Sequence, residues 1–230
     1  MTKVQQSRAA RVSQPDVATL YDGLARYYDT WAALTESRAR RRALQLAAIR
    51  DGISLIEVAV GTGLAFLSAA KQNPNGRNVG IDISKGMLAK AEGRLRKAGI
   101  ANPELSIGSA LDIQQPDGSF DLLLNSYMFD LLAQDDWAKV LSEFHRVLKP
   151  GGRLVLVNMT AGEKIGSGLY DRLYRLSPRL MGGCRGVRLE PHVVEAGFTV
   201  HSRNYVQQAF FPSEVILATK RGGESASEIA

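Results

Sequence analysis

Two acids, each closing a short apolar run, with a glycine turn between them, are the residues of this chain best placed to do chemistry. Leu55-Ile-Glu-Val-Ala-Val-Gly-Thr-Gly63 carries a carboxylate, Glu57, into a turn built from Gly61 and Gly63, and Val79-Gly-Ile-Asp82 follows. Glycines let a strand turn abruptly into a helix and leave bare backbone for a ligand to lie against. An acid at the tip of the neighbouring strand, Asp82, can accept from both hydroxyls of a ribose. The arrangement calls for a nucleoside-bearing cofactor across the carboxyl ends of two adjacent parallel strands. The bland alternative is an ordinary strand-to-helix connection.

The spacing discriminates between cofactors. A dinucleotide turn reads G-x-G-x-x-G, with the third glycine allowing close helix-on-strand packing. Gly61 and Gly63 supply the first two, but Phe66 stands third, and its ring would push the helix off the sheet. An acid-x-Gly-x-Gly-x-Gly turn, typical of S-adenosylmethionine sites, fits Glu57, Gly61 and Gly63. Ala59 replaces the first glycine there, and its methyl group would hold the ligand's amino-acid end slightly further from the strand.

Four further stretches resemble the class I methyltransferases, and within them the ubiquinone/menaquinone C-methyltransferase-like family, over residues 21–220. Tyr21-Asp-Gly-Leu-Ala-Arg-Tyr-Tyr-Asp-Thr-Trp31 resembles that family's N-terminal lid helix, and Gly80-Ile-Asp-Ile-Ser-Lys-Gly-Met-Leu88 its second-strand motif. Asp117-Gly-Ser-Phe-Asp121 resembles the entry to its fourth strand. Phe144-His-Arg-Val-Leu-Lys-Pro-Gly-Gly-Arg-Leu154 resembles its helix-to-fifth-strand turn, where Pro150-Gly-Gly152 stops a helix. The resemblance implies S-adenosyl-L-methionine as cofactor, S-adenosyl-L-homocysteine as product, and no metal. It implies cofactor contacts at Tyr28, Glu57, Gly61, Thr62, Gly63, Asp82, Ile83, Met87, Ser109, Ala110, Asn125 and Ser126. Ser109-Ala110 stands where the family has an acid or amide on the adenine amine; Asp112 is a nearby substitute.

The elements that must position these residues alternate. The predicted strands run over about Ser54–Ala59, Asn78–Ile81, Glu104–Ile107, Phe120–Asn125, Arg153–Met159, Phe198–Val206 and Val215–Lys220. Helices are predicted from Glu36 to Ile49, from Gly63 to Asn73, from Lys85 to Lys97 behind a Ser84 N-cap, from Asp135 to Leu148 and from Val187 to Ala196. The leucines of Phe120–Asn125 imply burial on both faces, as in a parallel sheet. The fold class is therefore α/β: a doubly wound, mainly parallel seven-stranded Rossmann-like sheet with an antiparallel last strand. One domain is expected over 1–220. It divides into N-terminal lid helices (1–50), cofactor-binding core (51–160), a cap insertion before the last two strands (161–188), and closing helix and hairpin (189–220). A loose tail, 221–230, follows.

Bulk properties set limits. The chain has 230 residues, 45% hydrophobic and 23% charged, and its apolar runs are strand-sized, which excludes a long apolar span. Met1–Val12 lacks the apolar stretch of a secretory signal. A single cysteine, Cys184, suits a reducing cytoplasm. It has no positioned partner, and the histidines His145, His192 and His201 are scattered without metal spacing. The net charge of +6 concentrates at Arg38–Arg42, Arg94–Lys97 and Arg172–Arg188. Solvated helix faces explain such clusters, and peripheral contact with an anionic inner-membrane surface is the alternative. The first two clusters have no interleaved aromatics, and Asn125-Ser-Tyr-Met128 is not an Asn-Pro-Pro-Tyr motif; both argue against nucleic acid.

A sulfonium donor is already activated, so proximity and exclusion of water carry most of the rate. A base is required only for a phenol, an enol-like carbon or a protonated amine, and Asp130, Tyr127 and Tyr28 are the candidates. Tyr21, Tyr27, Tyr28 and Trp31 would line a lid over the sulfonium, or simply pack. The cap, with Leu169, Leu173, Leu176 and Leu180 on one face beside Tyr170 and Tyr174, suits a small apolar or lipid-like acceptor. Quinone-ring C-methylation leads among acceptors. Phosphatidylethanolamine N-methylation and other small-molecule O- or N-methylation remain open, as do a non-catalytic cofactor-binding module and a nicotinamide oxidoreductase. The sequence leaves the oligomeric state undetermined.

Overall fold

The computed structural model describes residues 29, 32–100, 103–160, 186–209 and 211–222. Within them, seven strands form one sheet: β1 Ser54–Val58, β2 Arg77–Asp82, β3 Glu104–Ile107, β4 Phe120–Ser126, β5 Leu148–Met159, β6 Phe198–Gln208 and β7 Phe211–Lys220. Their order across the sheet is β3-β2-β1-β4-β5-β7-β6. The pairs β1–β2, β1–β4, β2–β3 and β4–β5 are parallel, and β7 runs antiparallel to both neighbours. The expected α/β, doubly wound, mainly parallel sheet is thus observed, with β7 as its antiparallel member. The strand order reverses at β1 and β4, where open sheets of this kind take their ligands.

Helices cover both faces because every central strand is apolar on both sides. Ile56 and Val58 of β1, Ile81 of β2 and Leu123 of β4 pack with Val140, Leu141 and Phe144 of α4 (Trp137–Val147). On the opposite face, Leu55, Leu122 and Val155 pack with Ala39 and Ala43 of α1 (Ser37–Ala47), Phe66 and Ala69 of α2 (Leu64–Gln72), and Leu88 and Leu95 of α3 (Lys85–Lys97). Ser84 caps α3, its hydroxyl accepting from Met87 N at 3.1 Å. Helix α1 is tied to the far hairpin. Arg42 donates to Asn204 at 2.9 Å, and the Gln208 amide donates to the carbonyls of Ala33 and Leu34.

Three boundaries differ from the sequence expectation by three residues or more, each for a local reason. Strand β5 begins at Leu148 rather than Arg153: Leu148 already pairs with Phe120, and a register shift before Leu122 accommodates Lys149–Gly152. Pro150-Gly-Gly152 is therefore an irregularity inside a strand as well as a helix stop, with Gly151 at φ +74°. Strand β7 begins at Phe211 rather than Val215, since Phe211–Ile216 is wholly buried. Pro212 is tolerated there because it lies beyond Met159, the last residue of β5, which faces Ser213. The last helix, α5, is only Glu190–Glu195, since Val187 is drawn into an extended contact by its N–H bond to Met159 O at 2.9 Å.

Among the described residues no helix is long and apolar enough to cross a membrane. Tyr21, Tyr27, Tyr28, Trp31, Cys184 and the leucine face of the cap lie outside the described residues.

Candidate functional site

The turn after β1 is built from backbone conformations that most residues avoid. Ala59, Gly61 and Gly63 have φ of 60°, 55° and 79°. Gly63 N donates to Val60 O at 3.0 Å to close the turn. The two glycines serve different ends. A Cβ on Gly61 would meet nothing within 4 Å, so its backbone faces open space. A Cβ on Gly63 would stand 3.0 Å from Ala91 Cβ and 3.1 Å from Ala91 Cα, so this glycine lets α2 start tight against α3. At Ala59 the left-handed backbone is itself unfavourable for alanine, by about 1–2 kcal/mol.

Phe66 does not push α2 off the sheet. It is fully buried, and the room for its ring comes from β2: a Cβ on Gly80 would lie 3.3 Å from Phe66 Cε2 and 2.5 Å from Leu105 Cδ2. The close approach that a dinucleotide turn obtains from a helix glycine is obtained here from a strand glycine.

Acids surround the turn. Asp82 Oδ2 accepts from Gly61 N at 2.7 Å, and Oδ1 from Ser84 N at 2.9 Å. Glu57 lies on β1 directly opposite Gly80, two residues before Asp82. It is buried, and its Oε2 has no hydrogen-bond partner. Burial pushes its carboxyl well above the ordinary 4.5; Arg40 opposes this and Asp82 adds to it. Thr62, also buried, donates through Oγ1 to Asp29 Oδ1 at 2.7 Å, while Arg94 Nη2 donates to Asp29 Oδ2 at 2.5 Å. Asp29 was not singled out in the sequence. Its place in Tyr28-Asp29-Thr30, among residues notable for their rings, hid it.

The remaining candidates gather at the same edge. Met87 is buried beneath the start of α3 and Ile83 is half-buried beside Asp82. Gly108 N donates to Asp82 O at 3.0 Å, which brings Ser109 and buried Ala110 alongside. The Ser109 hydroxyl accepts from Leu111 N at 3.2 Å, and Ser109 bridges to Asp112. Asn125 donates to Val58 O at 2.8 Å, tying β4 to β1, and its Oδ1 has no partner. Ser126 ends β4. Tyr127 follows at φ 51°, with its hydroxyl 2.8 Å from Ser213 Oγ in the interior and its ring edge-on to Phe211. Asp130 is buried in the loop beyond. The histidines lie elsewhere: His145 packs on Phe198, His192 on Trp137, and His201 bonds Thr219.

A second polar group lies further along the edge. Asn158 of β5 is fully buried, and neither its amide nitrogen nor its oxygen has a partner. Its cross-strand neighbour Glu214 is also fully buried and accepts from Arg203 Nε at 2.6 Å. Burial pushes the Glu214 carboxyl up, against the pull of Arg203.

The methyltransferase domain family matches residues 55–152, from the first residues of β1 to the bulge of β5. The chain is 35% identical over 187 residues to the demethylmenaquinone methyltransferase of Thermus thermophilus, a match covering 79% of this chain and 82% of that one. It belongs to the class I S-adenosylmethionine-dependent methyltransferases, in their menaquinone-methyltransferase-like family. The demethylmenaquinone methyltransferase of Listeria welshimeri is 32% identical over 52% of this methyltransferase and 50% of its own length. Among solved structures, the cyclase SpnF superposes with a TM-score of 0.74 at 18% identity, covering 94% of this chain and 98% of that one. At that identity the likeness concerns the fold alone. The methyltransferase family fits the site's own features: bare backbone at Gly61, an orphaned carboxylate oxygen on Glu57, and an acid at the tip of β2.

Proposed function

We propose that this methyltransferase moves a methyl group from S-adenosyl-L-methionine to a ring carbon of a reduced quinone and releases S-adenosyl-L-homocysteine. The observation that carries the acceptor is the relationship to the Thermus thermophilus demethylmenaquinone methyltransferase across 79% of this chain. When bound, the donor supplies a methyl group on a good leaving group.

The chain's residues then bind and orient. Asp82 grips the ribose hydroxyls while holding the turn through Gly61 N. Gly61 lets the amino-acid end of the donor lie against backbone, and Glu57 offers its free oxygen to the ammonium group. Ile83, Met87, Ser109 and Ala110 line the adenine, and Asn125 and Ser126 close the side towards β4. Thr62 and Gly63 keep the turn in shape, Thr62 through Asp29 and Gly63 through Ala91.

A ring carbon becomes nucleophilic when its hydroxyl loses a proton, which calls for a base. Asp130 is the candidate on the acceptor side; the Tyr127 hydroxyl is engaged with Ser213. An apolar acceptor resides in a bilayer, and the surface supports a peripheral approach to it. Leu34 is 65% exposed, and Arg38 and Arg41 nearby are exposed as well. Arginines beside an exposed leucine suit an anionic membrane.

Radiolabelled methyl transfer into a total lipid and metabolite extract tests the reading. Label in a prenylated quinone is the expected result. Label in phosphatidylethanolamine derivatives selects phospholipid N-methylation instead, and label in neither overturns both.

A further inference from the structure

Asn158 is an apolar position occupied by an amide. Along β5, Leu154 and Leu156 face α4 in the core, and the two-residue period of a strand puts Asn158 on that face. Nothing in the core requires an amide there. Its nitrogen and oxygen both lack partners, although Thr160, Leu189 and Glu214 beside it are paired. Thr160 Oγ1 donates to Val187 O at 3.2 Å, Leu189 N donates to Glu214 Oε1 at 3.4 Å, and Glu214 Oε2 holds Arg203. Buried polar groups with no partner are rare in native proteins and mark places where a ligand or an internal water completes the set.

The position has two further properties. It lies at the carboxyl end of β5, the edge at which open parallel sheets bind ligands. It also neighbours a second orphan on the same face. Asn125 of β4 pairs with Leu156, two residues before Asn158, and its Oδ1 is unpartnered while its nitrogen is used on Val58. Two unpartnered amide oxygens, one unused amide nitrogen and the buried Glu214 carboxylate with its half-buried partner Arg203 thus border one region. An amide both donates and accepts, as a hydroxyl does.

We infer that Asn158 is an acceptor-binding residue, whose amide, beside the Arg203–Glu214 pair, takes a hydroxyl or carbonyl oxygen on the molecule that receives the methyl group. This rests on the methyl-transfer reading and not on the acceptor being a quinone. Holding that oxygen fixes how the acceptor is turned, and so which of its atoms faces the donor.

The test compares the wild-type enzyme with Asn158→Leu, close in size and without polar atoms, and with Asn158→Ala, which cannot overpack. Each is assayed for methyl transfer into the same extract and for the thermal shift given by S-adenosylhomocysteine. The expected result is an unchanged shift with a KM for the labelled acceptor raised about tenfold or more, kcat changing less. If Asn158→Leu does not fold, Asn158→Ala gives the same reading. Wild-type kcat/KM in either folded variant overturns the inference and leaves an internal water as the partner of the amide. Loss of the thermal shift together with activity also overturns it, because it marks the residue as structural. A wild-type product that is not a quinone ends the quinone reading while the comparison of variants stands.

Discussion

Asp82, at the tip of β2, accepts a hydrogen bond at 2.7 Å from the backbone N–H of Gly61, at the crown of the turn after β1. That carboxylate holds the turn, and in the proposed reading it also presents oxygens to a ribose. Asp82→Asn keeps the shape but halves the accepting capacity and removes the charge. We expect about 10–100-fold weaker binding of S-adenosylhomocysteine by calorimetry, and a stability loss of about 1–3 kcal/mol in urea. Unchanged affinity would remove Asp82 from the cofactor site.

The two turn glycines separate stability from binding. Gly61→Ala places a methyl group in open space at φ 55°, which costs about 1 kcal/mol of stability but, in the proposed reading, blocks the backbone offered to the donor. Gly63→Ala forces a methyl group to 3.0 Å from Ala91 Cβ, and should lower stability by about 2–4 kcal/mol. Melting curves with and without S-adenosylhomocysteine distinguish them. Gly61→Ala should melt near the wild type and lose the ligand shift. The reverse pattern would contradict both assignments.

Glu57 makes stability depend on pH. Its folded carboxyl is raised above the ordinary 4.5 by burial, so between 4.5 and the folded value the native state holds more protons than the unfolded state. Stability contributed by the protonated form is present below 4.5 and is lost as the pH rises towards the folded value. Glu57→Gln should flatten that decline and melt higher than the wild type at neutral pH and above. If Glu57 meets the donor's ammonium group, Glu57→Gln also weakens S-adenosylhomocysteine binding, most at alkaline pH. Parallel melting curves from pH 5 to pH 9 for the two proteins would count against the assignment.

Asp29 joins the glycine turn to α3 through Thr62 and Arg94. Its side chain is 40% exposed, so the ion pair itself contributes little, about 0–1 kcal/mol. Asp29→Ala should therefore change the melting temperature slightly, yet release Thr62 and weaken S-adenosylhomocysteine binding by up to about tenfold. The wild-type advantage should shrink as salt is added, because the pair is screened. Equal affinities at low salt would show that Asp29 holds nothing the cofactor senses.

The sequence revealed the sheet where local signals and tertiary pairing agree. Strand β3 and helix α3 fall where expected, because a capping serine, a helical apolar stripe and a short alternating run each point one way. It failed where a residue type has two uses. Pro150-Gly-Gly152 reads as a stop, yet Leu148 pairs with Phe120 before it. Phe211-Pro212 reads as a connection, yet its burial makes it strand. At the site, Glu57, Gly61 and Asp82 stood out because each interrupts an apolar run. Asn158 interrupts one too, after Leu154-Val-Leu-Val157, but with no glycine beside it the amide reads as one more residue of a strand predicted to reach Met159. Asp29 had no pattern of its own, since its partners are distant in sequence.

The fit of Phe66 against Gly80 makes the two positions interdependent. Trimming the ring alone hollows the interior above β2, and adding a side chain at Gly80 alone drives into Leu105 and crowds Val60 and the ring. In the proposed reading, acceptor preference can drift by change around β5 and β7 while the packing of the glycine turn against β2 stays as it is.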